Sequence, residues 1–373
     1  MINAFRLELI EIKNSFYLFS LLTWIPLVSF LLIISIFNEG VVRDLPISVV
    51  DHDNSKLSRQ IITQINTNST LHVKGLQADL KQASIDIVSS NIYATVVIPK
   101  HFEKDVLQKK QPQITAFINT QYLLIGKMIN SALSSTIQQS SARVDFVSNL
   151  RKDGQFSTAG NLASPIGIQV TPFFNTYQNY FLFLVSAIIP TLLQILIALA
   201  IIASMSRTFK AKKEKEFFKN GIIGALIGKT LPYTLAFFGW GVMFLLYMYG
   251  YETWEFQGSF GVTFLALLLM ILAYEGVALF FFVISFDYVR ALSLAALYTA
   301  PAFAFLRITF PVSSMPEFAL VWHNLLPISH YLKIQISQAS YGAPVSEVVP
   351  LLLNLIWFLP MWIFVIIRLR KKI

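Results

Sequence analysis

The chain has 373 residues, 55% hydrophobic, 14% aromatic and only 13% charged, where a soluble domain carries roughly 25% charged residues. Its formal net charge is +9, but the basic residues gather beside apolar segments, which points to membrane topology rather than a nucleic-acid partner. Cysteine is absent, excluding disulfides, thiolate metal sites and cysteine nucleophiles, and His52, His72, His101, His323 and His330 form no H-E-x-x-H pair, so no metal site is expected.

The leader at 1–17 places Ile2, Phe5, Leu9, Ile12 and Phe16 at helical spacing, with Arg6, Glu8, Glu11 and Lys13 elsewhere around a helix expected over 1–15. Two readings stand: an amphipathic helix along the inner membrane surface, or a plain start to the first transmembrane helix. The apolar run at 16–37 is long enough to span a bilayer. It is too long for a cleaved signal peptide, carries Glu8 and Glu11 ahead of it, and ends in "IFNEG" without a small-x-small site.

Residues 38–177 alternate short β-branched runs with helical ones. "PISVV", "TLHVKG", "IYATVVIP" and "QITAFIN" predict strands; "SKLSRQIITQIN", "ADLKQASIDIVSS" and "FEKDVLQKK" predict helices, and 122–150 predicts one long helix. This is a small α/β unit. Within it "DHDNS" at 51–55 begins like a calcium loop, but Lys56 and Ile62 stand where Gly and Glu are needed. A turn and helix N-cap at Asp53, Asn54 or Ser55 explains it better.

Five further apolar runs follow, near 178–204, 231–250, 259–284, 289–309 and 347–368. The region 178–373 is therefore a five-helix membrane region with a cytoplasmic loop at 205–229. That loop carries Arg207, Lys210, Lys212, Lys213, Lys215, Lys219 and Lys229; the tail carries Arg368, Arg370, Lys371 and Lys372; "YETWEFQGS" carries no base. The bias puts both termini in the cytoplasm and the α/β unit outside. The predicted fold class is an α-helical polytopic membrane protein of six transmembrane helices, with an extracytoplasmic α/β domain between the first and second spans.

"GIIGALIGKT" at 221–230 ends like a phosphate-binding loop, yet only three residues separate Gly224 from Gly228, no strand precedes it, and an apolar span follows. Glu275 lies inside the fourth span, where an ionisable group costs roughly 2.5–3.5 kcal/mol. It either lines a translocation path or hydrogen-bonds a neighbouring helix. Arg307, at the outer end of the fifth span, is snorkelling, paired or on the same path. Asp287 and Arg290 fit a solvated turn. In 310–345, Pro311, Pro316 and Pro327 break apolar pieces too short to span, which predicts an outer re-entrant segment.

Four stretches together resemble the membrane subunit of ABC type-2 transporters, bacterial exporter permeases with a large outer domain between their first two spans. They are "LPISVVDHDNSKLSRQIITQI", "IYATVVIPKHFEKDVLQKKQPQITAFIN", "LIGKTLPYTL" and "TFPVSSMPEFALVWHNLLPISHYL", the last being the most specific. The resemblance covers nearly the whole chain and implies a multi-pass protein of the bacterial inner membrane, exporting an amphiphilic or hydrophobic substrate and holding no cofactor. ATP and Mg would be bound by a separate ABC ATPase subunit, so this chain would be no enzyme. It implies a coupling helix near Lys212 to Gly221, with Glu214, Glu216, Phe217 and Phe218 as contacts, although the loop lacks the family's Gly-Thr. It implies an outer re-entrant gate at Phe310, Pro311, Met315, Pro316, Pro327 and His330, with Leu306 and Arg307 replacing the usual small residues. Its partners would be the ATPase, a second permease subunit (itself or a paralogue), the bilayer and, as a further candidate, a periplasmic adaptor. The rival reading is a membrane-anchored sensor whose outer domain binds a ligand.

Overall fold

The computed structural model describes residues 1–38, 42–108, 110–121, 123–153, 179–219, 221–251, 255–306 and 315–373. Two compact units divide the chain, one formed by 1–40 with 172–373 and the other by 41–171.

The smaller unit is α/β. Its sheet has the order β2-β1-β3-β4, with β1 Leu45–Asp51, β2 Leu71–Leu76, β3 Ala94–Ile98 and β4 Thr115–Ile118. The pairs β1/β2 and β1/β3 are parallel, and β4 runs antiparallel to β3. Parallel strands require crossovers, and these contain α4 (Lys56–Asn66) and α5 (Leu80–Val88); α6 (Phe102–Leu107) joins β3 to β4, and α7 (Leu123–Asp153) follows. Every predicted element of this unit appears. Ile47, Val49, Val96 and Ile98 from the strands, Ile61 and Ile65 from α4 and Ile129 from α7 form the buried core. The "DHDNS" turn is capping chemistry. Ser55 Oγ accepts from Ser58 N at 3.0 Å, Asp51 accepts from the backbone of Asp53 and Asn54, and Asp53 accepts from Glu103 N at the start of α6.

The larger unit is helical, with six helices long and apolar enough to cross a membrane among the described residues: Phe16–Phe37, Phe181–Lys210, Ile222–Tyr251, Phe260–Ser285, Tyr288–Phe305 and Val345–Arg370. In element terms these are α2 (Phe16–Leu22) with α3 (Trp24–Phe37), α8 (Tyr180–Lys210), α10 (Ile222–Leu246) with a π-turn, α11 (Phe260–Ser285), α12 (Tyr288–Thr299) with α13 (Ala302–Phe305), and α16 (Val345–Ile356) with α17 (Pro360–Arg370). Before the first span lies α1 (Ile2–Lys13), between the second and third α9 (Glu214–Phe218), and before the sixth α14 (Glu317–Leu325) and α15 (Pro327–Ala339).

The second and third spans are longer than the basic flanks suggested, so only 211–221 separates them. The third begins at Ile222 and takes "GALIGKT" into its first turns. Two prolines open the helix ladders, and distant side chains close them. Pro26 lacks the N–H that would bond Leu22 O, and Trp240 Nε1 donates there instead at 2.7 Å. Pro190 likewise frees Ser186 O, which accepts from Gln335 Nε2 at 3.1 Å. Asp287 caps α12, its carboxylate accepting from Arg290 N at 2.9 Å.

Candidate functional site

The leader helix buries a face centred on a carboxylate. Ala4, Glu8 and Ile12, one turn apart, are its buried residues, whereas Ile2 and Leu9 are exposed. A carboxylate is tolerated on the inward face because each of its oxygens finds donors. Glu8 Oε1 accepts from Ser204 Oγ and from Tyr233 OH, both at 2.6 Å, and Oε2 accepts from Lys229 Nζ. Ser204 lies on α8, Lys229 and Tyr233 on α10, and Glu8 on α1, so one carboxylate joins three helices. Glu8 is 0% and Lys229 2% exposed, and removing one partner from such a pair costs about 3–5 kcal/mol because the other charge stays buried. Lys229 also sits 4.3 Å from the centre of the Phe217 ring.

The backbones can approach this closely because of the two glycines in "GALIG". A Cβ at Gly228 would collide with Met1 O and lie 3.1 Å from Phe5 N, and one at Gly224 would lie 3.4 Å from Met1 N. This is the small-x-x-x-small device of close helix packing. "GIIGALIGKT" is therefore a docking track for α1 that ends in a buried counter-ion, Lys229.

One turn beyond Glu8, Glu11 makes the outer half of the clasp. It accepts from Lys213 Nζ at 2.7 Å and lies 3.6 Å from Arg207 Nε, both partners nearly half exposed. Burial alone would raise its pKa, but the hydrogen-bonded Lys213, with Lys229 and Arg207 behind it, holds the carboxyl below the usual carboxylate range. The same hydrogen bond to Glu11 raises the pKa of Lys213.

Beside the clasp, α9 turns Phe217 and Phe218 inward, 4% and 5% exposed, and leaves Glu216 exposed and Glu214 half-buried. A notch of about 490 Å³ lies between α1, α9 and α10, lined by Arg6, Leu7, Glu216, Phe217 and Lys219 among others. The aromatic pair thus anchors α9 to its own chain, and Lys215, Glu216 and Lys219 are left exposed.

Glu275 is fully buried on α11; its Oε1 accepts from Thr234 Oγ1 of α10 at 2.7 Å, and Oε2 has no hydrogen-bond partner among the described residues. Of the residues expected at an outer gate, Phe310 and Pro311 fall outside the described residues, as does Arg307. Met315 is buried, Pro316 precedes α14, and Pro327 is the first residue of α15. His330 Nε2 bonds Asn324 O at 3.0 Å, and His323 Nδ1 bonds Phe305 O at 2.7 Å. The α14–α15 hairpin is tied to the fourth span by Ile328 N, which donates to Tyr274 OH, and to the fifth by Tyr298 OH, which donates to Leu325 O. Among the described residues no cluster of histidine and carboxylate side chains could hold a metal ion.

The hub at Glu8 escaped the sequence reading because its members lie 196, 221 and 225 residues apart. The available signal was an acid in the leader, a lysine inside an apolar run, and Gly-x-x-x-Gly ending one residue before that lysine.

These features define a class: a polytopic helical membrane protein with an α/β unit and a leader helix clasped to two of its spans. Residues 15–368 match the profile of the family described as ABC-2 family transporter protein, and the chain belongs to that family. No curated protein matches it closely enough to serve as a relative. Membership makes the chain the membrane permease component of an ABC transporter, a family that implies an ABC ATPase partner, and favours this reading over the sensor.

Proposed function

We propose that this chain is the permease of an exporter that moves an amphiphilic or hydrophobic substrate out of the bacterial cytoplasm or inner membrane, driven by a separate ATPase subunit holding ATP and Mg. The observation that carries the reading is the notch beside α9, where a short helix, rooted by Phe217 and Phe218, presents Glu216 and Lys219 next to Arg6 of the leader. Such a mixed-charge rim around an apolar base suits a partner subunit's groove. Two permeases pair, as a homodimer or with a paralogue, both termini face the cytoplasm, and the α14–α15 hairpin with Met315, Pro316, Pro327 and His330 closes the outer end of the path. Glu275 and Arg307 belong to that path.

The α/β unit lies outside and receives substrate or a periplasmic adaptor. A groove of about 900 Å³ between α4, α6 and α7 supports this, lined by Lys56, Arg59 and Arg143 with Leu57, Val106 and Leu107. The reading is tested by purifying the tagged chain from its native membrane in mild detergent and identifying what accompanies it. Recovery of a Walker-motif subunit whose ATPase activity depends on the complex, and whose binding is weakened by a Glu216→Lys and Lys219→Glu double variant, is the expected result. Absence of any ATPase would return the sensor reading to the front.

A further inference from the structure

We propose that Glu8 is the positioning residue that makes the leader helix and the cytoplasmic ends of the second and third spans a single lever, so that a push on α1 reaches α10 through the Glu8–Lys229 pair. This rests on the permease reading for the source of the push, and on the geometry of the clasp for its route.

Two connections run from the 1–13 and 211–221 segments into the spans. Through α9 the link is a five-residue helix anchored by Phe217 and Phe218; apolar contact of this kind is non-directional and can slide. Through α1 the link is directional. Each oxygen of Glu8 is held by a donor on another helix, Ser204 on α8 and Lys229 and Tyr233 on α10, and Glu8 and Lys229 are sealed from solvent. A slide of α1 along α10 would leave a buried ammonium and a buried carboxylate unpaired together. Water cannot take over either role, and the glycine track holds the two backbones too close for another side chain to enter. Glu11 adds a second attachment to the end of α8 and to Lys213, but solvent can replace its partners. The clasp therefore has a rigid pin at Glu8 and a yielding one at Glu11.

The test uses the absence of native cysteine. Ile12, on the same buried stripe one turn after Glu8, becomes a reporter as Ile12→Cys, with labelling by a water-soluble maleimide measured on the full chain in lipid nanodiscs. Glu8→Gln keeps an acceptor for Ser204 and Tyr233 but removes the charge facing Lys229. It is expected to label at least about tenfold faster, since local opening follows the lost pairing. The Glu8→Gln, Lys229→Met double variant buries no unpaired charge and guards against a single variant that fails to fold; it too should label faster than the reporter alone. Equal labelling in all three overturns the proposal.

The second arm adds the co-purified ATPase and compares the nucleotide-free state with one trapped by ATP and vanadate. A single lever keeps the reporter equally protected in both states while Glu8 is intact, and trapping speeds labelling further only when Glu8 is changed. Exposure on trapping with Glu8 intact means that α1 slides over α10, and overturns it. If no ATPase is found, the permease reading fails while the first arm still decides the role of Glu8.

Discussion

The two units satisfy their polar groups over different sequence distances. In the α/β unit the bonds that shape the first crossover are local: Asp51 to Asp53 and Asn54, and Ser55 to Ser58, over a core of alternating aliphatic residues. In the membrane unit the decisive bonds join Glu8 to Ser204, Lys229 and Tyr233 across about two hundred residues. A local cap satisfies a backbone donor that water could also reach. The membrane clasp satisfies a carboxylate and an ammonium that would otherwise be stranded in an apolar interior. The cost of breaking one bond should therefore differ severalfold between the units.

The largest effect is expected at the pin. Glu8→Ala or Lys229→Met alone should each destabilise the membrane unit by about 3–5 kcal/mol, read as the shift in thermal unfolding followed by tryptophan fluorescence in detergent. The double Glu8→Ala, Lys229→Met change should lose clearly less than the two added together. Additive losses would mean that the two charges do not depend on each other.

Next comes the track. Gly228→Val would place its Cβ against the backbone of Met1, which no rotamer change can relieve. Overpacking of this kind costs about 1–3 kcal/mol, and hydrogen exchange should speed up along α1 while leaving α4 unchanged. In the other unit, Ser55→Ala removes a cap worth about 1 kcal/mol; faster exchange confined to the first turn of α4 is the expected outcome, and a loss as large as that at Glu8 would erase the contrast.

The smallest effect belongs to Glu11. Its half-exposed partners limit Glu11→Gln to about 0.2–1 kcal/mol, and the loss should shrink further in high salt. The sign of its pH dependence follows from its lowered folded-state pKa. The contribution is complete above the ordinary carboxylate range and fades as pH falls through the lowered value. A pH titration of unfolding in which wild type and Glu11→Gln converge at acid pH would confirm it; parallel curves would remove Glu11 from the clasp.

How much was legible follows from the same distinction. The strands at 45–51, 71–76 and 94–98 and the helices after them were readable because period two and period 3.6 are written in consecutive residues. The six spans were readable because twenty apolar residues in a row fit a bilayer. Their ends were harder. The third span was placed after Lys229, since a charge normally marks the membrane surface, and the helix in fact runs back to Ile222 because Glu8 neutralises that lysine inside the protein. Phe217 and Phe218 looked like contacts for a partner, and the fold turns both inward, since α1 and α10 offer them an apolar surface within the chain.

By itself, then, the sequence determined the α/β unit and the number of apolar spans, which rest on composition, periodicity and local capping, and it pointed to the class of transporter through the stretches that carry the family resemblance. The tertiary structure decided which face of the leader is buried, what the glycines of "GALIG" are for, and which charges meet. Those outcomes depend on the packing of helices far apart in the chain, where the burial cost of each charge is set by a partner that no local pattern announces.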